Sequence, residues 1–258
     1  MIAYRFVFLA AISLLTSTMS KPINGDSGGI DCFRRLPVSK VDCQRAISKI
    51  HYQHDNTLDT ASKHFGWASG NCSIIVLNPD GAATNKAQIE DGFKQILDKC
   101  NPHAGEGPLK VNEGVFLHIA HRSNASYAAY ESDHPFLKPT CGMNMNAPDT
   151  QSEDCEKAYK DIPLNGQGQF LSPAKQKTSS VTSTYKSCNV TIYTSDDSAL
   201  LATKANLDNT FEQMLGQCKG KSGVVSIKEG AQGLNGRVLL DIKSSVPCGF
   251  GPGKQVCH

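Results

Sequence analysis

The chain has 258 residues, 39% of them hydrophobic, with ten cysteines and a net charge of +2. That charge is close to balance and forms no basic stripe, so it gives no electrostatic reason to expect nucleic-acid binding. Length alone allows one domain or two.

Residues 1–20 read as a secretory signal peptide: Arg5 as the positive flank, an apolar run from Phe6 to Leu15, and Thr18-Met19-Ser20 as small residues at the cleavage end. The apolar run is too short to span a bilayer, and no later segment is apolar enough to do so. A protein outside the cell, without a membrane span, is expected.

The first α/β unit is expected over 30–141. Cys32 and Cys43 open it, and a helix is predicted from Cys43, with Asp42 as its cap and Cys43, Ala46 and Ile50 on one face. A hairpin follows, pairing a strand near Ala61–Trp67 with Cys72–Leu77, in which Cys72, Ile74 and Val76 face the core. The second helix, Lys86–Cys100, carries an apolar stripe of Ile89, Phe93, Ile96, Leu97 and Cys100, and Pro102 and Gly105 end it. A strand near Val115–Ile119 comes last. The stretch Ser123 to Pro139 then stands as an insertion, aromatic and acidic, with Tyr127, Tyr130, Glu131, Asp133 and Phe136.

Residues 142–152 form a polar connector, and the second unit, 153–258, repeats the first. Lys86-Ala87-Gln88-Ile89 through Cys100 returns without a gap as Lys204-Ala205-Asn206-Leu207 through Cys218. Self-similarity on that scale means two copies of one small domain. Asp154 and Cys155 open the second copy's first helix, Ser179–Tyr185 and Cys188–Tyr193 form its hairpin, and Val238–Ile242 its last strand. The expected fold class is α+β: two tandem small α/β sandwiches, each with two helices on an antiparallel sheet and stapled by disulfides. If the stretches after Cys32 and Cys141 add a first strand, each unit becomes a split β-α-β.

The cysteines, Cys32, Cys43, Cys72, Cys100, Cys141, Cys155, Cys188, Cys218, Cys248 and Cys257, are an even set at repeating spacings and read as a disulfide framework. Their pairing is open, with Cys43, Cys72 and Cys100 expected at one end of the sandwich. Asn71, Asn124 and Asn189 head N-glycosylation sequons. In the first, the central Cys72 causes the site to be skipped if it oxidises early.

Chemistry is not visible in the pattern. There is no G-x-S-x-G elbow, no H-E-x-x-H and no glycine-rich phosphate loop, so no catalytic residue and no cofactor is assigned. His51, His54, His64, His103, His118, His121 and His134 all fall in the first unit, which raises the question of an extracellular metal binder. However, His118 and His121 point to opposite faces of a strand, and no third ligand is placed by spacing, so no metal ligand is assigned. Trp67, the only tryptophan, together with Tyr127, Tyr130 and Phe136, are the residues expected to contact a partner.

The run Ser69-Gly70-Asn71-Cys72-Ser73-Ile74-Ile75-Val76, the helix Lys86 to Cys100 and the strand near Val115 resemble the cysteine-rich small secreted proteins of plant-associated basidiomycete fungi, rusts especially. The resemblance spans both units and implies an effector candidate acting in a host. The cysteine spacing and helix–strand order are also similar to the KP6-type killer-toxin sandwich, whose precursors are cut between units at a basic pair; the connector 142–152 has no Lys or Arg. The resulting expectation is a secreted, monomeric, non-enzymatic binding protein, an effector candidate that engages a host protein in the apoplast. The alternatives are a killer-toxin-like antimicrobial protein and a metal binder.

Overall fold

A computed structural model describes residues 29–122, 135–142 and 147–246. The expected signal peptide, Asn124, Tyr127, Tyr130, His134, Cys248 and Cys257 lie outside the described residues.

The chain forms two units of the same plan. In the first, β1 (Asp31–Pro37) leads into α1 (Lys40–Ile47), the hairpin β2 (His64–Ser69) and β3 (Cys72–Leu77), then α2 (Lys86–Cys100), β4 (His103–Leu109) and β5 (Asn112–His121). The second runs β6 (Thr140–Cys141), α3 (Ser152–Lys160), β7 (Ser180–Tyr185), β8 (Cys188–Thr194), α4 (Lys204–Cys218), β9 (Gly223–Ile227) and β10 (Val238–Ser244). Each makes a five-stranded antiparallel sheet, ordered β1-β4-β5-β3-β2 and β6-β9-β10-β8-β7.

The long helices run between the residues where the repeat placed them. Asn85 and Gln88 make a reciprocal capping box at the start of α2, and Thr203 and Asn206 make the same box on α4. The stripe residues Ile89, Phe93, Ile96, Leu97 and Cys100 are buried, as are Leu207, Phe211, Met214 and Cys218. Cys72, Ile74 and Val76 meet them from β3, and Cys188, Val190 and Ile192 from β8, all fully buried. Each unit thus has its own core. Burying such side chains is worth about 1.5–3 kcal/mol each.

Three expectations are corrected. The first helices start earlier than Cys43 and Cys155, with Ser39 and Gln151 at the N-cap. Asp42 and Asp154 are therefore not caps. Both reach across to the hairpin turn instead, Asp42 accepting from the Asn71 amide at 3.4 Å and Asp154 from the Ser187 hydroxyl at 2.7 Å. Secondly, β4 and β9 went unforeseen. His103-Ala104-Gly105-Glu106-Gly107-Pro108-Leu109 reads as a breaker-rich loop, and yet it pairs on both sides, with β1 and β5. The first strand does form, at the sheet edge and antiparallel to β4, so that β1 and β2, joined through α1, run parallel with three strands between them, and β3 and β4, joined through α2, run parallel with β5 between them, as in a split β-α-β. Thirdly, the boundary drawn at 141 falls too late: Thr140–Cys141 pairs with β9 and belongs to the second sheet, in keeping with Cys141 as the cysteine that opens the second unit as Cys32 opens the first.

The disulfides explain why these strands are where they are. Cys32–Cys100 ties β1 to the end of α2 and Cys43–Cys72 ties α1 to β3; Cys141–Cys218 and Cys155–Cys188 repeat the device. A side chain at Gly105 would place its Cβ 2.6 Å from the Cys100 sulfur, and one at Gly223 2.7 Å from that of Cys218. The glycines of β4 and β9 thus make room for the staple. Each bridge contributes about 2–4 kcal/mol by restricting the unfolded chain.

Candidate functional site

The two units meet through irregular segments, and residues peculiar to one copy gather there. Unit one supplies the connection between α1 and β2, residues 48–63. Unit two supplies the β8–α4 connection, 195–203, and the β9–β10 connection, 228–237. In unit one, β4 and β5 are joined by a tight turn at Lys110-Val111; the longer loop of unit two has no counterpart.

Asp59 organises the unit-one side. Its Oδ1 accepts from the amides of Ala61 (3.0 Å) and Ser62 (2.8 Å), a short-range Asx pattern that fixes the loop. Its Oδ2 accepts from the Ser62 hydroxyl at 2.8 Å and from the Leu234 amide of unit two at 3.3 Å. Asp196, fully buried, faces it: Oδ1 accepts from the Ser198 hydroxyl (2.7 Å) and amide (3.2 Å), while Oδ2 lies 2.9 Å from the Ser62 hydroxyl. The Asp196 carbonyl accepts from the Lys63 amide at 2.9 Å. Gly233 and Gly236 close around this carboxyl, since a Cβ there would sit 2.0 Å from Oδ2 and 2.3 Å from Oδ1.

Asn235, buried, spans the seam. Its Oδ1 accepts from the His51 amide at 2.9 Å and from the Trp67 indole at 3.3 Å, and its Nδ2 donates to the His51 carbonyl at 2.9 Å. Beside it lies an aromatic and cationic layer. His51 meets Trp67 edge-on at 5.4 Å, and the Arg237 guanidinium lies 5.5 Å from the Trp67 ring and 5.4 Å from that of Phe136.

The electrostatics follow burial. Asp196 is held above the usual carboxylate range by desolvation first; hydrogen bonds from Ser198 and Ser62 oppose the shift, and the charge of Asp59 adds to it. Desolvation pulls Arg237 down, and Lys49 too, where Arg122 and Arg237 add to the effect.

Two hollows flank the seam. One, of about 760 Å³, is open and lined by Tyr52, His54, Asp55, Asp59, Gln232 and Leu234 among others. The other, of about 560 Å³, is lined by Phe136, Leu137, Leu201, Ile227, Lys228 and Glu229 among others.

Of the residues singled out from sequence, Trp67 and Phe136, far apart in the chain, come together on the two rings that hold Arg237. Trp67 is half-buried and its indole hydrogen bond goes to unit two. Asn71 is half-buried, with its Oδ1 accepting from the Ser39 amide at 2.8 Å. Asn189 lies on the outer face of β8, donating to the Thr184 hydroxyl and accepting from that of Thr191. The described histidines do not converge. His118 pairs with Glu106 at 2.7 Å, His121 with the Pro37 carbonyl, and His64 lies 3.7 Å from Asp197. Among the described residues, no group of three His, Cys, Asp or Glu could hold a metal ion.

Sequence reasoning missed Asp59, Ser62, Asp196, Asn235 and Arg237. The signal that could have found them is the asymmetry between copies. Gly230-Ala231-Gln232-Gly233-Leu234-Asn235-Gly236 has no partner in unit one, and such glycine spacing suits a loop that must approach another surface closely.

No family model matches the chain, and no curated protein matches it. Among solved structures, it is similar to the tandem DUF26 ectodomain of the Arabidopsis thaliana cysteine-rich receptor-like protein PDLP5, at 11% identity over 84% of this chain and 98% of that one. The TM-score is 0.25, a likeness too slight to carry an argument about what this chain does.

Proposed function

We propose that the chain is a secreted, non-enzymatic binding protein and, within that class, a fungal effector candidate that engages a host plant protein in the apoplast. The observation that carries this reading is the exposure of Phe136 and Leu137, 45% and 62%, at the mouth of the 560 Å³ pocket. Exposed apolar side chains beside a hollow mark interaction surfaces, and these two lie at the end of the segment that unit two lacks. The four disulfides suit an oxidising, extracellular address. No helix among the described residues is long and apolar enough to cross a membrane.

The test is affinity capture from host plant extract with the oxidised protein, its reduced and alkylated form, and a Leu137→Ser variant. The expected result is a partner retained only by the oxidised wild type, with binding at least about tenfold weaker for the variant, as for a residue at the centre of an interface. Unchanged Trp67 fluorescence in the variant shows that the fold is kept. Absence of any fold-dependent partner overturns the reading. Inhibition of microbial growth by the protein alone would then favour the killer-toxin alternative, and metal uptake by unit one the metal-binding one.

A further inference from the structure

The Ser62 hydroxyl has one proton, yet a carboxyl oxygen from each unit lies within hydrogen-bond distance of it, Asp59 Oδ2 at 2.8 Å and Asp196 Oδ2 at 2.9 Å. Its oxygen also accepts from the Asn235 amide at 3.2 Å. Asp59 already receives three backbone N–H groups, from Ala61, Ser62 and Leu234, which suits the ionised form. With both carboxyls ionised, Ser62 could satisfy only one, and two buried charges would share one hydroxyl. The count closes if Asp196 Oδ2–H donates to Ser62 and Ser62 donates to Asp59.

We infer that docking of the two units captures a single proton on the Asp196 carboxyl, in an Asp196–Ser62–Asp59 chain, so that the seam closes more tightly in mildly acidic medium than at neutral pH. The surrounding charges do not replace that proton. Lys63 and His64 meet Asp196 through their backbone amides, and the His64 ring lies near Asp197 instead. His51 enters by its backbone, Arg237 spreads over Trp67 and Phe136, and Lys228 and Glu229 line the 560 Å³ pocket. Asp59 is the charged group that acts on Asp196, and it pushes in the same direction as burial.

The sign follows from linkage. An acid whose folded pKa is raised holds a proton that the undocked chain releases near the ordinary carboxylate value. The docked state is therefore favoured most below that value, and its advantage is lost as pH rises through the raised one. Within that window the docked-to-open ratio falls up to about tenfold per pH unit, the limit for one proton. The inference does not depend on any partner.

The experiment is a carbon-13 NMR titration of the assigned Asp196 carboxyl in the full oxidised protein, with Trp67 emission recorded over the same pH range. Asp196 is expected to titrate above the ordinary range, and Trp67 emission to move to the red with it. An Asp196→Asn variant, whose amide can donate to Ser62 in the same way, is expected to stay docked and to lose the pH response. Ordinary titration of Asp196, or an unchanged pH response in the variant, overturns the inference. If the variant does not fold, the wild-type titration decides alone.

Discussion

At the residue scale, Asn235 does the most with the least. One side-chain amide satisfies the backbone of His51 and the indole of Trp67 across the seam. Truncating it to alanine leaves buried groups unpaired, at about 1–3 kcal/mol. Because Trp67 is the only tryptophan, the effect is directly visible. Asn235→Ala is expected to shift its emission to the red before any denaturant is added and to lower the midpoint in a denaturant titration. Gly236→Ala is expected to do the same for another reason, since its Cβ would meet the Asp196 carboxyl at 2.3 Å.

At the element scale, the long helices and the glycine strands carry different risks. Phe93 and Phe211 occupy equivalent positions, both buried in their own cores. Truncating either to alanine is expected to cost about 3–5 kcal/mol, and a thermal scan should show only the affected unit's transition moving. Gly105→Ala places a methyl against a bonded sulfur with no room to retreat. It is expected to leave Cys32 and Cys100 incompletely oxidised, detectable by alkylation and mass spectrometry. Asp98 of α2 is bridged by Lys40 of α1 and by Lys94 at 2.8 Å each, and those hydrogen bonds, Lys40's first, hold its carboxyl down to about 2. Because its folded pKa is depressed, its help to the α1–α2 contact is present above the ordinary carboxylate range and lost as pH falls toward that value. An NMR titration of Asp98 with and without salt checks this.

At the scale of the whole molecule, two apolar cores are joined by a polar seam. The cores are buried by disulfide-stapled sheets, whereas the seam depends on hydrogen bonds whose net contribution is smaller than their number suggests. The seam is therefore expected to open before either core melts. In a denaturant titration Trp67 emission should change ahead of the far-UV circular dichroism, and coincident curves would contradict that order.

The amino-acid pattern by itself determined the duplication, the long helices and the inward faces of the central strands, because helical and strand periodicities are written locally in which residues are apolar. It also marked Trp67 and Phe136, as unusual residues in unusual places. It could not show β4, since a strand made of Gly105, Gly107 and Pro108 is specified by its neighbours and by the sulfur it must pass, not by propensity. Nor could it show that Asp59, Ser62, Asp196 and Asn235 form one network. Those residues are polar and lie in loops, and Asp59 and Ser62 stand more than a hundred positions from Asp196 and Asn235. Only docking of the two units removes them from water and makes their hydrogen bonds depend on one another.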